Sequence, residues 1–151
     1  MSNAQLTVRQ ATVADLDLLV PLFDAYRQFY RQPSDAGRAH RFLLDRFEHN
    51  QSVIFLAFDE GTAVGFTQLY PSFSSGALAR IFVLNDLFVE QTCRRRGAAS
   101  ALLAAAAQYG RAVGAIRLVL STETGNLGAQ ALYERVGWSR DQAFCVYQLS
   151  L

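Results

Sequence analysis

Leu84-Asn85-Asp86-Leu87-Phe88-Val89-Glu90-Gln91-Thr92-Cys93-Arg94-Arg95-Arg96-Gly97-Ala98-Ala99 is the stretch on which the fold turns. Its first half belongs to a β-rich run, Ile81 to Glu90, apolar on both faces except around Asn85 and Asp86, as a strand in the middle of a sheet requires. Its second half is a glycine turn into a helix rich in Ala and Leu that runs to about Val113 and stops at Gly114. The apolar run Ala115 to Ser121 then predicts a buried strand, reached by a parallel crossover. Glycine at a helix start lets the backbone approach a ligand, and the N–H groups there, with the helix dipole, attract phosphate. From Gln91 to Thr122 the chain carries Arg94, Arg95, Arg96, Arg111 and Arg117 and no acidic residue, which suits an anion. Taken alone, the arginine triplet also reads as a solvated basic loop. No Gly-Lys-Ser/Thr follows it, which excludes a P-loop, and no early strand carries Gly-x-Gly-x-x-Gly, which excludes the dinucleotide fingerprint.

Upstream, Leu6 to Gln10 alternates like a strand, and Thr12 with Asp15 marks a helix start. Leu16, Leu19, Val20, Phe23, Arg27 and Tyr30 form a helical stripe that Pro33 breaks. Ser34 is placed to cap a second helix, whose inner face is Ala39, Phe42, Leu43, Arg46 and Phe47. Ser52 to Asp59 and Thr62 to Tyr70 are strands joined at Glu60-Gly61, the second ended by Pro71 and the Ser74-Ser75-Gly76 cluster. Downstream, Asn126 to Arg135 is a helix ended by Gly137, and Trp138 to Leu151 a terminal strand or hairpin. The order β-α-α-β-β-β-α-β-α-β(-β) predicts an α/β fold with a mixed sheet and helices on both faces.

The 151 residues, 51% apolar and 18% charged, predict a single globular domain over 5–151. Fourteen basic against thirteen acidic side chains leave a formal charge of +1, so no field draws nucleic acid or an anionic membrane. The small-apolar run Ala98 to Ala107 is too short for a bilayer. Cys93 and Cys145 match neither a metal spacing nor a disulfide framework, which points to a cytoplasmic protein. His40 and His49 fall on different faces of the second helix, so no metal is expected.

Arg94-x-x-Gly97-x-Ala99 after a strand resembles the acyl-CoA pyrophosphate motif, Gln/Arg-x-x-Gly-x-Gly/Ala, of the GNAT N-acetyltransferases. About thirty residues on, Asn126-x-x-Ala129-x-x-Leu132-Tyr133-Glu134-x-x-Gly137-Trp138 resembles the family pattern Asn-x-x-Ala-x-x-x-Tyr-x-x-x-Gly-Phe. The resemblance extends from Leu6 to the last strand. The segments Phe66 to Ser75 and Leu84 to Leu87 look most like the branch of histone and polyamine acetyltransferases. It implies an acetyl-CoA-dependent N-acetyltransferase. Acetyl-CoA would be the co-substrate, its pyrophosphate cradled by the main chain of Arg95, Arg96, Gly97, Ala98 and Ala99 beside Arg94. Its pantetheine arm would lie along Leu87, Phe88 and Val89, with Asn126 and Tyr133 near by.

Amine acetylation needs a deprotonated amine, a polarised thioester carbonyl and a proton for the departing thiolate. Tyr133 suits the last role, since its hydroxyl is a donor at neutral pH, against a plain packing role on the helix. Asp86, the one carboxylate inside the central strand run, is the candidate base, against a structural or substrate-orienting role. Asn85 stands where some family members carry Glu. Tyr26, Phe29 and Tyr30 at the end of helix one, and Tyr70, Phe73, Ser74 and Ser75 at the end of a strand, are the acceptor-pocket candidates together with Asn85, although aromatics at such spacings also serve as core. Rings near a carboxylate suit a cationic amine. The expected acceptor is a small polyamine- or amino acid-like molecule. A protein lysine and a non-catalytic acyl-CoA-binding module are the alternatives. The aromatic, β-branched stretch Ala143 to Leu151 favours pairing with a second copy, hence a homodimer. All fourteen basic residues being Arg, the chain has no lysine side chain of its own to acetylate.

Overall fold

The computed structural model describes residues 5–151; Met1 to Ala4 lie outside them. The chain divides into two compact units, one ending at Ser121 and the other running Thr122–Leu151. The first contains β1 (Leu6–Gln10), α1 (Leu16–Phe29), α2 (Ala36–Glu48), β2 (Val53–Asp59), β3 (Thr62–Ser74), β4 (Ala79–Val89), α3 (Ala98–Ala112) and β5 (Leu118–Val119); the second contains α4 (Leu127–Arg135). The sheet runs β1-β2-β3-β4-β5, antiparallel except for the parallel β4–β5 pair.

Strand alternation gives each face its own helices. Ile54, Leu56, Phe66 and Phe88 join Leu19 and Phe23 of α1 and Leu43 of α2 in one core. Phe55, between Ile54 and Leu56, points the other way and meets Tyr109 of α3 edge-on at 5.8 Å, as does Phe82 at 5.6 Å. Glu60 and Gly61, at φ 49° and 85°, form the tight turn expected between β2 and β3, since a pair of left-handed residues gives a turn whose twist matches that of the flanking strands.

Four local expectations are corrected. The cap of α2 is Asp35, whose side chain accepts from Arg38 N–H, while Ser34 instead donates to Asp24 at 2.5 Å. β3 does not end at Pro71 but continues to Ser74 opposite β4. Its pairing with β2 stops at Leu69, so Pro71 sits on an edge, where a missing N–H costs nothing. The strand expected over Ala115 to Ser121 shrinks to Leu118–Val119, half-buried and exposed rather than buried, because it meets β4 only at Phe82 and Val83. The stretch Trp138 to Leu151 forms no strand. Asp141 accepts from the N–H groups of Ala143 and Phe144 in a local turn, and Phe144, Val146 and Leu149 are exposed.

Gly65 is where β3 and β4 approach too closely for a side chain: a Cβ there would stand 2.6 Å from the Phe88 carbonyl oxygen and 3.1 Å from Val89 Cγ2. A main-chain oxygen inside a sheet cannot swing aside. Gly65→Ala is therefore expected to lower stability by about 1–3 kcal/mol, the usual cost of overpacking, read as a lower urea midpoint at unchanged slope.

Candidate active site

The β3–β4 register changes beside Asp86, the one carboxylate of β4. Gln68 pairs with Asp86 but Leu69 pairs with Leu84, which leaves Asn85 as the extra residue of a bulge. A bulge bends its strand and re-aims side chains. Asp86 is 2% exposed and Gln68 fully buried. Gln68 Nε2 donates to Asp86 Oδ2 at 2.5 Å, Asn85 Nδ2 to Oδ1 at 2.9 Å, and Thr67 Oγ1 to the Asp86 carbonyl at 2.8 Å. Burial pushes the Asp86 carboxyl above the usual carboxylate range, against hydrogen bonds from Gln68, Asn85 and Tyr26 that pull it down. A buried carboxylate held this way can take a proton at a higher pH than an exposed one.

Aromatic rings from α1 close on the same place. The Tyr26 hydroxyl donates to the Asn85 carbonyl at 3.3 Å, and its ring meets Tyr30 at 5.0 Å, Phe66 at 5.8 Å and Phe88 at 6.4 Å. Phe29 meets Tyr30 at 5.3 Å. Burial first, and then the Asp86 charge, pushes the phenols of Tyr26 and Tyr70 above their ordinary range. Tyr26, Tyr30, Tyr70, Asn85 and Asp86 thus gather as the sequence suggests. Phe73, Ser74 and Ser75 do not, because β3 carries them on to the hairpin tip. There Phe73 packs under Arg80 at 5.3 Å and Ser74 Oγ accepts from Ala77 N–H. At the rise of a strand, Phe73 lies about 17 Å along the chain from Gln68.

Two sets of main-chain groups suit an extended anionic ligand. Glu90 N–H donates to Val64 at 2.8 Å, so by alternation the main-chain groups of Leu87 and Val89 point away from β3, toward an edge that β5 leaves unpaired beyond Val83. At the helix, Gly97 is a left-handed N-cap at φ 88°, without a side-chain cap, and Arg95 is left-handed at φ 65°. Ala101 N–H bonds the Gly97 carbonyl, so the N–H groups of Ala98, Ala99 and Ser100 are the first-turn donors, as an anion cradle requires. Nothing crowds a Cβ at Gly97; its glycine answers the backbone angle.

The three arginines separate. Arg94 Nε donates to the Val89 carbonyl at 3.0 Å while its guanidinium covers Phe29 at 5.3 Å and Phe88 at 5.9 Å. Arg96 pairs with Asp59 at 3.0 Å. Among the described residues neither Arg94 nor Arg95 makes an ion pair. Asp45, Glu48 and His49 gather exposed at the end of α2, with His49 Nδ1 already 2.9 Å from the Asp45 carbonyl oxygen.

In the second unit, Asn126 Oδ1 accepts from Ala129 N–H at 3.2 Å and caps α4, which occupies that oxygen. Tyr133 rides on the last turns of α4, its ring 6.1 Å from that of Trp138 and its carbonyl accepting from Trp138 N–H at 2.9 Å. Gly137, at φ 103°, turns the chain after the helix. Gln68 is the residue that the sequence reading missed. Its signal was a polar pair, Thr67-Gln68, inside an otherwise apolar strand run, but its place opposite Asp86 depends on the register.

Comparison with known proteins adds a consistent set of likenesses. The family model described as Acetyltransferase (GNAT) family matches residues 19–138. An uncharacterized N-acetyltransferase of Bacillus subtilis (strain 168), YhfO, is 46% identical over 146 residues, 97% of this chain and 98% of that one. A crystal structure described as a probable acetyltransferase superposes with a TM-score of 0.92 at 42% identity, over 96% of this chain and 97% of the other. An aminoglycoside N-acetyltransferase in complex with CoA shares the fold, with a TM-score of 0.80 at 20% identity, over 99% and 98% of the two chains. None of these names assigns a histone or polyamine branch.

Proposed function

Because the chain belongs to the GNAT family of acetyl-CoA-dependent N-acetyltransferases, we propose that its acceptor is the primary amine of a small, cationic, polyamine- or amino acid-like molecule, acetylated by direct attack in a ternary complex. The observation that carries this reading is the buried Asp86 carboxylate in the β4 bulge, beside the phenols of Tyr26 and Tyr70. A carboxylate beside aromatic side chains favours an organic cation over a neutral or anionic acceptor. The first-turn N–H groups of α3 and Arg95 would hold the pyrophosphate of acetyl-CoA, and the outward main-chain groups of Leu87 and Val89 its pantetheine arm; the bound thioester supplies the acetyl group.

In this scheme the ammonium gives one proton to Asp86. The freed lone pair attacks the thioester carbonyl carbon, the C–N bond forms, and the C–S bond breaks. Tyr133 passes its hydroxyl proton to the departing sulfur, and the second proton lost by the nitrogen returns to Tyr133 through solvent. Titration calorimetry with acetyl-CoA, followed by CoA release against spermidine, amino acids and lysine peptides, tests the whole reading. Binding in the range of 1–100 µM, roughly where enzymes meet their substrates, is expected, with release fastest for the small cationic amines. An absence of acetyl-CoA binding would sink the pyrophosphate assignment, and release confined to peptides would move the acceptor to protein lysine.

A further inference from the structure

Asp86 is gripped by two amides of different standing. Asn85 is its neighbour on β4 and is exposed to solvent. Gln68 reaches across from β3, is fully buried, and spends Nε2 on Asp86 Oδ2 while its Oε1, also buried, has no hydrogen-bond partner. A buried amide oxygen left unpaired costs the fold about 1–3 kcal/mol, and a methionine of similar length would avoid that cost. That cost is set against what the other half of the amide holds, a hydrogen bond to a buried carboxylate.

We propose that Gln68 is a positioning residue that keeps Asp86 an ionised, correctly aimed proton acceptor in a dry site, by donating Nε2–H to Oδ2. This rests on the reading of Asp86 as the base. An amide N–H can only donate, so it stabilises the carboxylate and not the acid. Of the other groups facing Asp86, Asn85 and Tyr26 also donate to it, but Asn85 is exposed and Tyr26, on α1, is half-buried; Tyr30 follows α1, Tyr70 comes from β3, Arg46 of α2 acts on Tyr70, and among the described residues no formal charge acts on Asp86 itself. Removing the Gln68 donor leaves burial less opposed, so the carboxyl must hold its proton to higher pH.

The test is a 13C NMR titration of the aspartate carboxyls in the whole protein, with the Asp86 signal assigned by its loss in Asp86→Asn. Gln68→Met is expected to raise the Asp86 midpoint by about one to two pH units, the range for loss of a charge-assisted hydrogen bond. Its urea midpoint should hold or rise. Gln68→Glu, which places a second carboxyl against the first, should raise it further, and Asn85→Ala should move it less because water replaces that donor. With spermidine as acceptor, the acid limb of kcat/KM should move with the midpoint. An unmoved midpoint in both Gln68 variants overturns the proposal even if Asp86→Asn is inactive. Full activity of Asp86→Asn overturns the base reading, whatever Gln68 does to the midpoint.

Discussion

Asp86→Asn is expected to lower kcat for amine-dependent CoA release by about a hundredfold to ten-thousandfold, the range that a positioned base contributes, while acetyl-CoA affinity changes less than about twofold. The substitution keeps the volume of a side chain that is 2% exposed, so no cavity opens. It does place a new NH2 between two donors, Gln68 Nε2 and Asn85 Nδ2. A half turn of the Gln68 amide relieves this by offering Oε1, the oxygen that now lacks a partner. The variant should therefore fold, and its lost rate will report chemistry. The pH dependence carries a sign as well. Because the Asp86 carboxyl is raised above its ordinary range, wild-type kcat/KM should climb as pH passes through that raised value and the acid loses its proton. The variant has no such group and should lose that limb. A thiol-trapping assay at saturating acetyl-CoA across pH 5–9 reads both effects. A kcat within about threefold of wild type would remove Asp86 from the mechanism and leave it a structural role.

Tyr133→Phe is expected to lower kcat by about a hundredfold or more, again with little change in acetyl-CoA binding. Only the hydroxyl is removed: the ring that faces Trp138 at 6.1 Å and the helix end turned at Gly137 are preserved. A phenol hydroxyl is a hydrogen-bond donor, able to meet a leaving thiolate. Without it, the thiolate must wait for water. Stopped assays of CoA release, paired with calorimetry on the same preparation, separate the cases. An enzyme loses turnover and keeps binding, whereas a module that merely holds acyl-CoA has no turnover to lose, and a variant as active as wild type would assign the proton to another donor.

Much of this was legible in sequence because it rests on short-range rules. The α1 stripe, the Glu60-Gly61 turn and the glycine turn that opens α3 are each decided within a few residues, and each is found where the sequence places it. The misses share a different cause. Whether β3 passes Pro71 depends on where β2 stops pairing, and the fate of Arg96 depends on Asp59, 37 positions away. Gln68 becomes a partner of Asp86 only once β3 and β4 are in register, with Asn85 bulged out. Local patterns contain no information about such pairings, so the carboxylate could be named from the chain alone but not the amide that holds it.

The sheet order, identical to the order of its strands along the chain, bears on how quickly the molecule forms. β2, β3 and β4 are linked by two short turns, whereas β1 reaches β2 across two helices and β5 reaches β4 across α3. Closing a loop costs more entropy as it lengthens, so the three middle strands are the cheapest nucleus and the edges follow. The Gln68–Asp86 bridge lies inside that nucleus and would be formed while the flanking strands are still loose. Gly65, at the tightest contact of the same two strands, should then act on rates unevenly. The destabilisation of Gly65→Ala would fall chiefly on the folding limb of a chevron plot, and a loss confined to the unfolding limb would place β3–β4 pairing after the transition state.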